Sequence, residues 1–157
     1  MHSTKLLREK VIYLIVIVVV LSVIWFVFNH AKKVEAPIEP TAKITYTNST
    51  PDIITVELPF PGAVTGKDFS IIGKARGNWF FEASFPIEVL DKDGKSLYKG
   101  IAQAQGEWMT TDLVAFKASV NIPQSYIGPA TLILKKDNPS GIAEKDASIS
   151  FPITIEY

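Results

Sequence analysis

Residues 114–122 read VAFKASVNI, and this short stretch gives the clearest indication of the fold. Apolar residues occupy every second position, with smaller or polar residues between them. A period of two places alternate side chains on opposite faces of an extended strand. The stretch therefore predicts a β-strand with one face in a hydrophobic core and the other toward solvent. The residues of the buried face are Val114, Phe116, Ala118, Val120 and Ile122.

Six further runs between residues 53 and 157 show similar patterning and are separated by turn-forming residues. They cover residues 54–58, 69–75, 81–89, 96–104, 130–136 and 149–155. Proline has no N–H to donate, so Pro86 and Pro152 are expected at sheet edges or bulges. Seven strands and no persuasive helix predict an all-β domain at residues 53–157, an immunoglobulin-like antiparallel β-sandwich. The aromatic residues expected in its core are Phe81, Phe85, Phe116 and Phe151.

Residues 11–28 read VIYLIVIVVVLSVIWFVF and carry no charge. As a helix this run would be about 27 Å long, close to the thickness of the hydrocarbon core of a bilayer. It predicts a transmembrane signal anchor, with residues 1–10 as a short N-terminal flank. A cleaved signal peptide is the alternative, but its apolar region would be shorter and would end at small residues. Basic residues flank the run on both sides, and we expect the C-terminal domain outside the cell.

Residues 29–52 predict a linker between this anchor and the domain. They contain Pro37, Pro40 and Pro51 together with several threonines, and they lack an apolar period. Such a composition favours an extended tether over a helix or a sheet.

Charge and composition exclude several classes of function. The 16 basic and 16 acidic residues balance, and residues 53–157 hold 10 basic and 12 acidic residues, which argues against a nucleic-acid partner. The chain has no cysteine, and both histidines, His2 and His30, lie outside the domain. A catalytic Ser-His-Asp site, a zinc site and a disulfide are therefore excluded from it. We expect a domain that is not an enzyme and has neither a cofactor nor a metal.

Two acidic patterns have alternative interpretations. Asp91, Asp93 and Gly94 are similar to part of a calcium loop, but a hairpin turn explains the same residues. A pair of carboxylates in a cleft could also act as a glycosidase acid and nucleophile. The carboxylates available for such a pair are Glu82, Glu88, Glu107 and Asp112.

A candidate binding surface lies around one aromatic segment, and it comprises Arg76, Trp79, Phe80, Glu82 and Trp108. One interpretation is an exposed aromatic platform for a glycan or a protein. The other is structural: Phe81 points inward, Gly77 permits an unusual backbone angle, and Arg76 pairs with Glu82 or stacks on Trp79.

A second candidate binding surface is the segment of residues 135–141, which reads KKDNPSG. It is interpreted either as a tight turn or as a binding loop.

Several short motifs resemble the immunoglobulin-like domain of bacterial spore germination proteins, and the similarity runs through essentially all of residues 53–157. These motifs are Pro59-x-Pro61-Gly62, the segments 73–77 and 79–83, Asp93-Gly94, and the segments 104–109, 116–118 and 137–141. The resemblance implies an extracytoplasmic accessory domain, often membrane-anchored, without known catalytic residues or cofactor.

We therefore expect a single-pass protein of the bacterial cytoplasmic membrane that displays this domain for interaction with an envelope protein or a cell-wall glycan. A structural subunit that packs on a neighbouring membrane protein or on itself is the main alternative. A carbohydrate-binding or carbohydrate-active module is the weaker one.

Overall fold

The computed structural model describes residues 14–23, 25 and 42–157, and the chain divides into two units, Met1–Ile38 and Glu39–Tyr157. In the first unit, residues 14–23 and 25 are helical. Among the described residues, no helix combines the length and the apolar character needed to cross a membrane. The predicted transmembrane segment also includes residues 11–13, 24 and 26–28, which lie outside the described residues, and it stays a prediction. The flank 1–10 and residues 29–41 of the predicted linker lie outside them as well.

The second unit is all-β. All seven predicted strands are confirmed, with shifts at their ends, and two short strands accompany them. The strands are β1 Thr45–Thr47, β2 Ile54–Leu58, β3 Val64–Thr65, β4 Asp68–Arg76, β5 Ser84–Asp91, β6 Ser96–Ala104, β7 Leu113–Asn121, β8 Gly128–Lys135 and β9 Ser148–Ile155. Two 3₁₀ turns, Gly77–Trp79 and Ala143–Lys145, lie in the connections.

The strands form a curled sheet in the order β1-β9-β8-β5-β6-β7-β4-β2, with all neighbours along this path antiparallel. β3 lies parallel to β9 beside this path. Only two residue pairs, Gln103 with Lys117 and Ala104 with Phe116, join β6 to β7. Beyond these pairs the hydroxyl of Tyr98 donates to the carbonyl oxygen of Ser119 at 2.8 Å and ties the two strands together.

β1 corrects the boundary of the predicted linker. Residues 45–47 pair with residues 148–150 of β9, so the sheet begins within the segment assigned to a tether. β3 pairs with β9 through Val64 and Thr65. Strands of two or three residues are too short to show a period, which is why the amino-acid pattern predicted neither.

The start of the predicted third strand is wrong. Phe81 and Ser84 exchange backbone hydrogen bonds of 2.9 and 3.1 Å around Glu82 and Ala83, whose φ angles are 49° and 62°. Two consecutive positive φ angles define the type I′ turn of a two-residue hairpin. Phe81 is consequently 42% exposed and does not point into the core. Turns of this type usually contain Asn or Gly. Because Glu82 and Ala83 are neither, the sequence gives no turn signal here and predicts a strand that continues through them.

Pro86 and Pro152 lie in interior strands and not at the predicted sheet edges or bulges. Each is paired on one side, Pro86 with β6 and Pro152 with β8, and has no partner on the other side within residues 42–157. The pairing of β5 with β8 begins at Ile87, directly after Pro86. On β9, Pro152 falls between residues 148–150, which pair with β1, and residues 154–155, which pair with β3. Each proline therefore has one side without strand pairing, where a missing N–H breaks no ladder.

A row of aromatic rings lies at the centre of the core. Trp79 meets Phe85 edge-on with ring centroids 6.3 Å apart, and Phe85 meets Phe116 edge-on at 4.9 Å. Phe80 tilts against Phe85 at 5.3 Å. Such edge-to-face pairs are each worth about 0.5–1.5 kcal/mol beyond the burial of area. The expected core positions of Phe85, Phe116 and Phe151 are confirmed, because all three are buried.

Candidate functional site

Three connections lie close together at one end of the sheet, which we call the loop end: residues 77–83, 105–112 and 136–147. β4 ends at Arg76, which pairs with Leu113 at the start of β7. The backbone N–H of Asp137 donates to the carbonyl oxygen of Trp79 at 3.1 Å, which joins the first connection to the third. The loop end therefore gathers residues from distant parts of the chain, including four of the five residues of the predicted binding surface. The fifth, Arg76, ends β4 beside it.

A shallow cleft of about 500 Å³, here the loop-end cleft, opens between the first 3₁₀ turn and the connection 105–112. Its volume lies within the usual range for small-molecule sites. None of its lining residues carries a charge. They are Gly77, Asn78, Phe80, Trp108, Met109, Thr110 and Thr111.

Gly77 allows the two walls of this cleft to approach closely. A Cβ atom added at Gly77 would lie 2.0 Å from the carbonyl oxygen of Thr110 and 2.2 Å from that of Trp108. Both contacts are to backbone, which cannot rotate away as a side chain can. The expected reason for glycine here was an unusual backbone angle, whereas the structure shows that close packing requires it.

Arg76 holds the connection 105–112 from the other side. Its Nε donates to the carbonyl oxygen of Asp52 and its Nη1 to that of Thr111, both at 2.9 Å. The expectation that Arg76 pairs with Glu82 or stacks on Trp79 is therefore corrected. The hydrogen bond from Thr50 and the nearby Arg76 charge help to lower the pKa of the Asp52 carboxyl.

The three-ring exposed platform is not formed. Trp79 is 1% and Phe80 is 5% exposed, so both rings belong to the core. Trp108 is half-buried and lines the cleft, while the adjacent Met109 is 75% exposed. Glu82 is exposed in the type I′ turn and does not line the cleft. Of the five predicted surface residues, only Phe80 and Trp108 line the cleft.

Hydrogen-bonding groups of the cleft are available to a ligand. The Asn78 amide and the Thr111 hydroxyl are on exposed residues and make no side-chain hydrogen bond within the described part of the chain. The Trp108 indole N–H likewise has no acceptor among residues 42–157, and it keeps some exposure to solvent. Sequence patterns missed Asn78, Met109 and Thr111, because single residues in loops show no period.

The four carboxylates considered for acid–base chemistry have different surroundings. Glu107 Oε1 accepts the backbone N–H of Met109 at 3.0 Å and thereby shapes the cleft wall. Glu88 lies away from the cleft in β5, where its carboxylate pairs with Lys135 at 2.7 Å and Lys99 at 3.5 Å. The hydrogen bond from Lys135 is the main cause that lowers the pKa of Glu88. A glycosidase general acid requires the opposite, a raised pKa.

Glu88→Gln is expected to lower the free energy of unfolding by about 0.5–1 kcal/mol at neutral pH, because two lysines lose their shared partner. The folded-state pKa is below the ordinary value of 4.5, so this stabilisation is present above pH 4.5 and is lost as the pH falls through the folded-state pKa. Denaturant unfolding of both proteins across this range measures the difference. A difference that persisted unchanged in acid would contradict the ion-pair origin.

Two turns, which begin at Asp91 and at Asn138, are stabilised by hydrogen bonds between their own side chains and the backbone. Asp91 Oδ1 accepts the N–H groups of Asp93 and Lys95, both at 2.8 Å, as in the hairpin interpretation. Asn138 Nδ2 donates to the Ile142 carbonyl oxygen at 2.8 Å and to Asp146 Oδ1 at 2.7 Å. This second turn lines a polar groove of about 680 Å³. Among the described residues, no group of three or more His, Asp or Glu residues could hold a metal ion.

Comparison with known families gives one match. The model of the Gmad2 family, described as the immunoglobulin-like domain of bacterial spore germination, matches residues 53–143. The matched part is more than half of the chain and contains the whole loop-end cleft. It ends before β9, so it is shorter than the similarity inferred from the motifs. Comparisons with curated proteins and with solved structures find no match.

Proposed function

The chain belongs to the family of immunoglobulin-like domains of bacterial spore germination, and from this we propose that it is a non-catalytic accessory domain of the cell envelope. In this proposal, residues 11–28 anchor it in the cytoplasmic membrane and the β domain lies outside the cell. The loop-end cleft is the surface that contacts an envelope protein or a cell-wall glycan.

The observation that carries the proposal is the cleft itself. Trp108 and Met109 present apolar surface on loops of the sheet, beside hydrogen-bonding groups that have no partner within residues 42–157. Binding residues are often placed on loops of this kind. Beside the cleft, Glu107 engages one carboxylate oxygen with the backbone N–H of Met109, which favours a structural role for it over a catalytic one.

The anchor is tested with the double substitution Val18→Arg and Leu21→Arg. Each arginine at the centre of a spanning helix costs about 2.5–3.5 kcal/mol, so the variant is expected to move from the membrane pellet to the soluble fraction after alkaline extraction. The native chain is expected to remain in the pellet.

A cysteine-free chain also permits a direct test of orientation. Met109→Cys should react with a membrane-impermeant maleimide on intact cells, because this side chain is 75% exposed. Lysed cells provide the control for reactivity. If the native chain were extracted at alkaline pH, this result would count against the membrane anchor. If Met109→Cys were labelled only after lysis, this result would count against a domain outside the cell.

A further inference from the structure

The lining of the loop-end cleft restricts the charge of its ligand. All seven residues are neutral. Two charged side chains beside the lining also bond to backbone: the Arg76 guanidinium donates to two carbonyl oxygens, and one Glu107 oxygen accepts a backbone N–H. A charged ligand would lose hydration without meeting an opposite charge among these seven lining residues, which is unfavourable. The cleft therefore suits an uncharged ligand.

The chemistry of the walls further narrows the class. Trp108 and Met109 supply apolar surface. Asn78, Thr111 and the indole N–H of Trp108 supply hydrogen-bonding groups that have no partner in the described part of the chain. Small-molecule sites combine an apolar lining with a few such polar groups that fix orientation. A pyranose ring has the matching chemistry, because its axial C–H groups form an apolar face and its hydroxyls surround the edge.

An extended peptide matches the cleft less well. Peptides that bind by backbone pairing need an unpaired strand edge. None of the lining residues belongs to a strand, since they lie on the 3₁₀ turn and in the connections that follow β4 and β6. The loop-end cleft offers no ladder for a peptide to extend.

We propose that the loop-end cleft binds an uncharged glycan, with one pyranose ring packed on the Trp108 indole and its hydroxyls bonded to Asn78 and Thr111. The proposal rests on the envelope-binding function proposed above and names its ligand class. Gly77 and Arg76 hold the connection 105–112 in place before the ligand arrives, which lowers the entropy cost of binding.

The test is isothermal titration calorimetry of the full-length chain in detergent micelles with two probes, tetra-N-acetylchitotetraose and cellotetraose. Both are neutral β-1,4-linked tetramers, and only the first carries N-acetyl groups. Binding of at least one probe is expected. Trp108→Ala should weaken it by about tenfold or more, and Asn78→Ala, which removes one orienting hydrogen bond, by about 3–10-fold.

Two controls separate binding from folding. Asn78 is exposed and makes no side-chain hydrogen bond to the described residues, so Asn78→Ala should keep the native melting temperature even if Trp108→Ala does not. Ile101→Ala removes an apolar side chain that is 53% exposed and lies in β6 outside the cleft. This variant should bind the probes like the native chain.

Failure to bind either probe at millimolar concentration would overturn the glycan proposal, and so would binding that Trp108→Ala and Asn78→Ala both leave unchanged. A parallel retention assay uses membrane-protein extract and the same variants. A protein partner lost with these variants, in the absence of probe binding, would overturn the glycan proposal but leave the envelope-binding function standing. No probe binding together with no retained protein would count against both.

Discussion

Trp79→Ala is expected to lower the free energy of unfolding by about 3–5 kcal/mol, a large part of the stability of a domain of this size. The Trp79 side chain is 1% exposed and packs edge-on against Phe85, which in turn contacts Phe116. Alanine would leave a cavity at one end of this row of rings, where the curled sheet cannot collapse without moving the first 3₁₀ turn. Denaturant unfolding of the full-length chain, followed by far-UV circular dichroism, measures the loss.

Trp79→Phe is the matched control for this prediction. It keeps an aromatic ring in the core and removes the indole N–H, which is buried and has no hydrogen-bond partner among the described residues. The unpaired N–H costs about 1–3 kcal/mol in the native protein, so its removal offsets part of the cavity cost. We expect a loss well below that of Trp79→Ala. Equal losses in the two variants would show that ring packing is not the source of the stability.

Gly77→Ala is expected to destabilise the domain by about 3 kcal/mol and to abolish ligand binding in the loop-end cleft. The new Cβ would overlap the carbonyl oxygens of Trp108 and Thr110, which lie 2.2 and 2.0 Å from its position. The connection 105–112 would have to move outward and would lose the bond from Arg76 to the Thr111 carbonyl. The measurement combines denaturant unfolding with titration of the probes used for the cleft.

Gly106→Ala provides the control within the same connection. A Cβ at Gly106 would meet nothing within 4 Å, and its φ lies outside the left-handed range. Alanine restricts the unfolded chain more than glycine does, so the variant should be as stable as the native chain or more stable by about 0.4–1 kcal/mol. If Gly77→Ala behaved like Gly106→Ala, the close approach of the cleft walls would be refuted.

These two predictions connect the core to the candidate site. Gly77 and Trp79 belong to one 3₁₀ turn, in which Gly77 lines the cleft and Trp79 closes the row of core rings. Packing of the Trp79 ring therefore positions the wall that contacts the ligand. For this reason, binding data on variants of this turn need a parallel measurement of stability.

Periodicity was enough to predict the seven longer strands and the class of fold. The alternation at residues 114–122, for example, corresponds to β7, in which Val114, Phe116, Ala118 and Val120 are buried. A half-buried strand must alternate, because its side chains point in turn to the core and to solvent. The motifs around Pro59 and Trp79 were likewise sufficient to predict the family, since they depend on residue identity and spacing alone.

The candidate site depended on tertiary contacts. The four aromatic residues of this region have different surroundings. Trp79 and Phe80 are buried, Phe81 is exposed beside a turn, and Trp108 is half-buried in the cleft that Phe80 also lines. The location of each ring depends on the approach of the connection 105–112 to Gly77 and on the turn at Glu82-Ala83. β1 was hidden in the same way, because its three residues become a strand only through pairing with β9, about 100 residues away in the chain. The alternation of apolar residues along a strand indicates which of its faces is buried. The packing of loops depends on chain segments that meet only after folding.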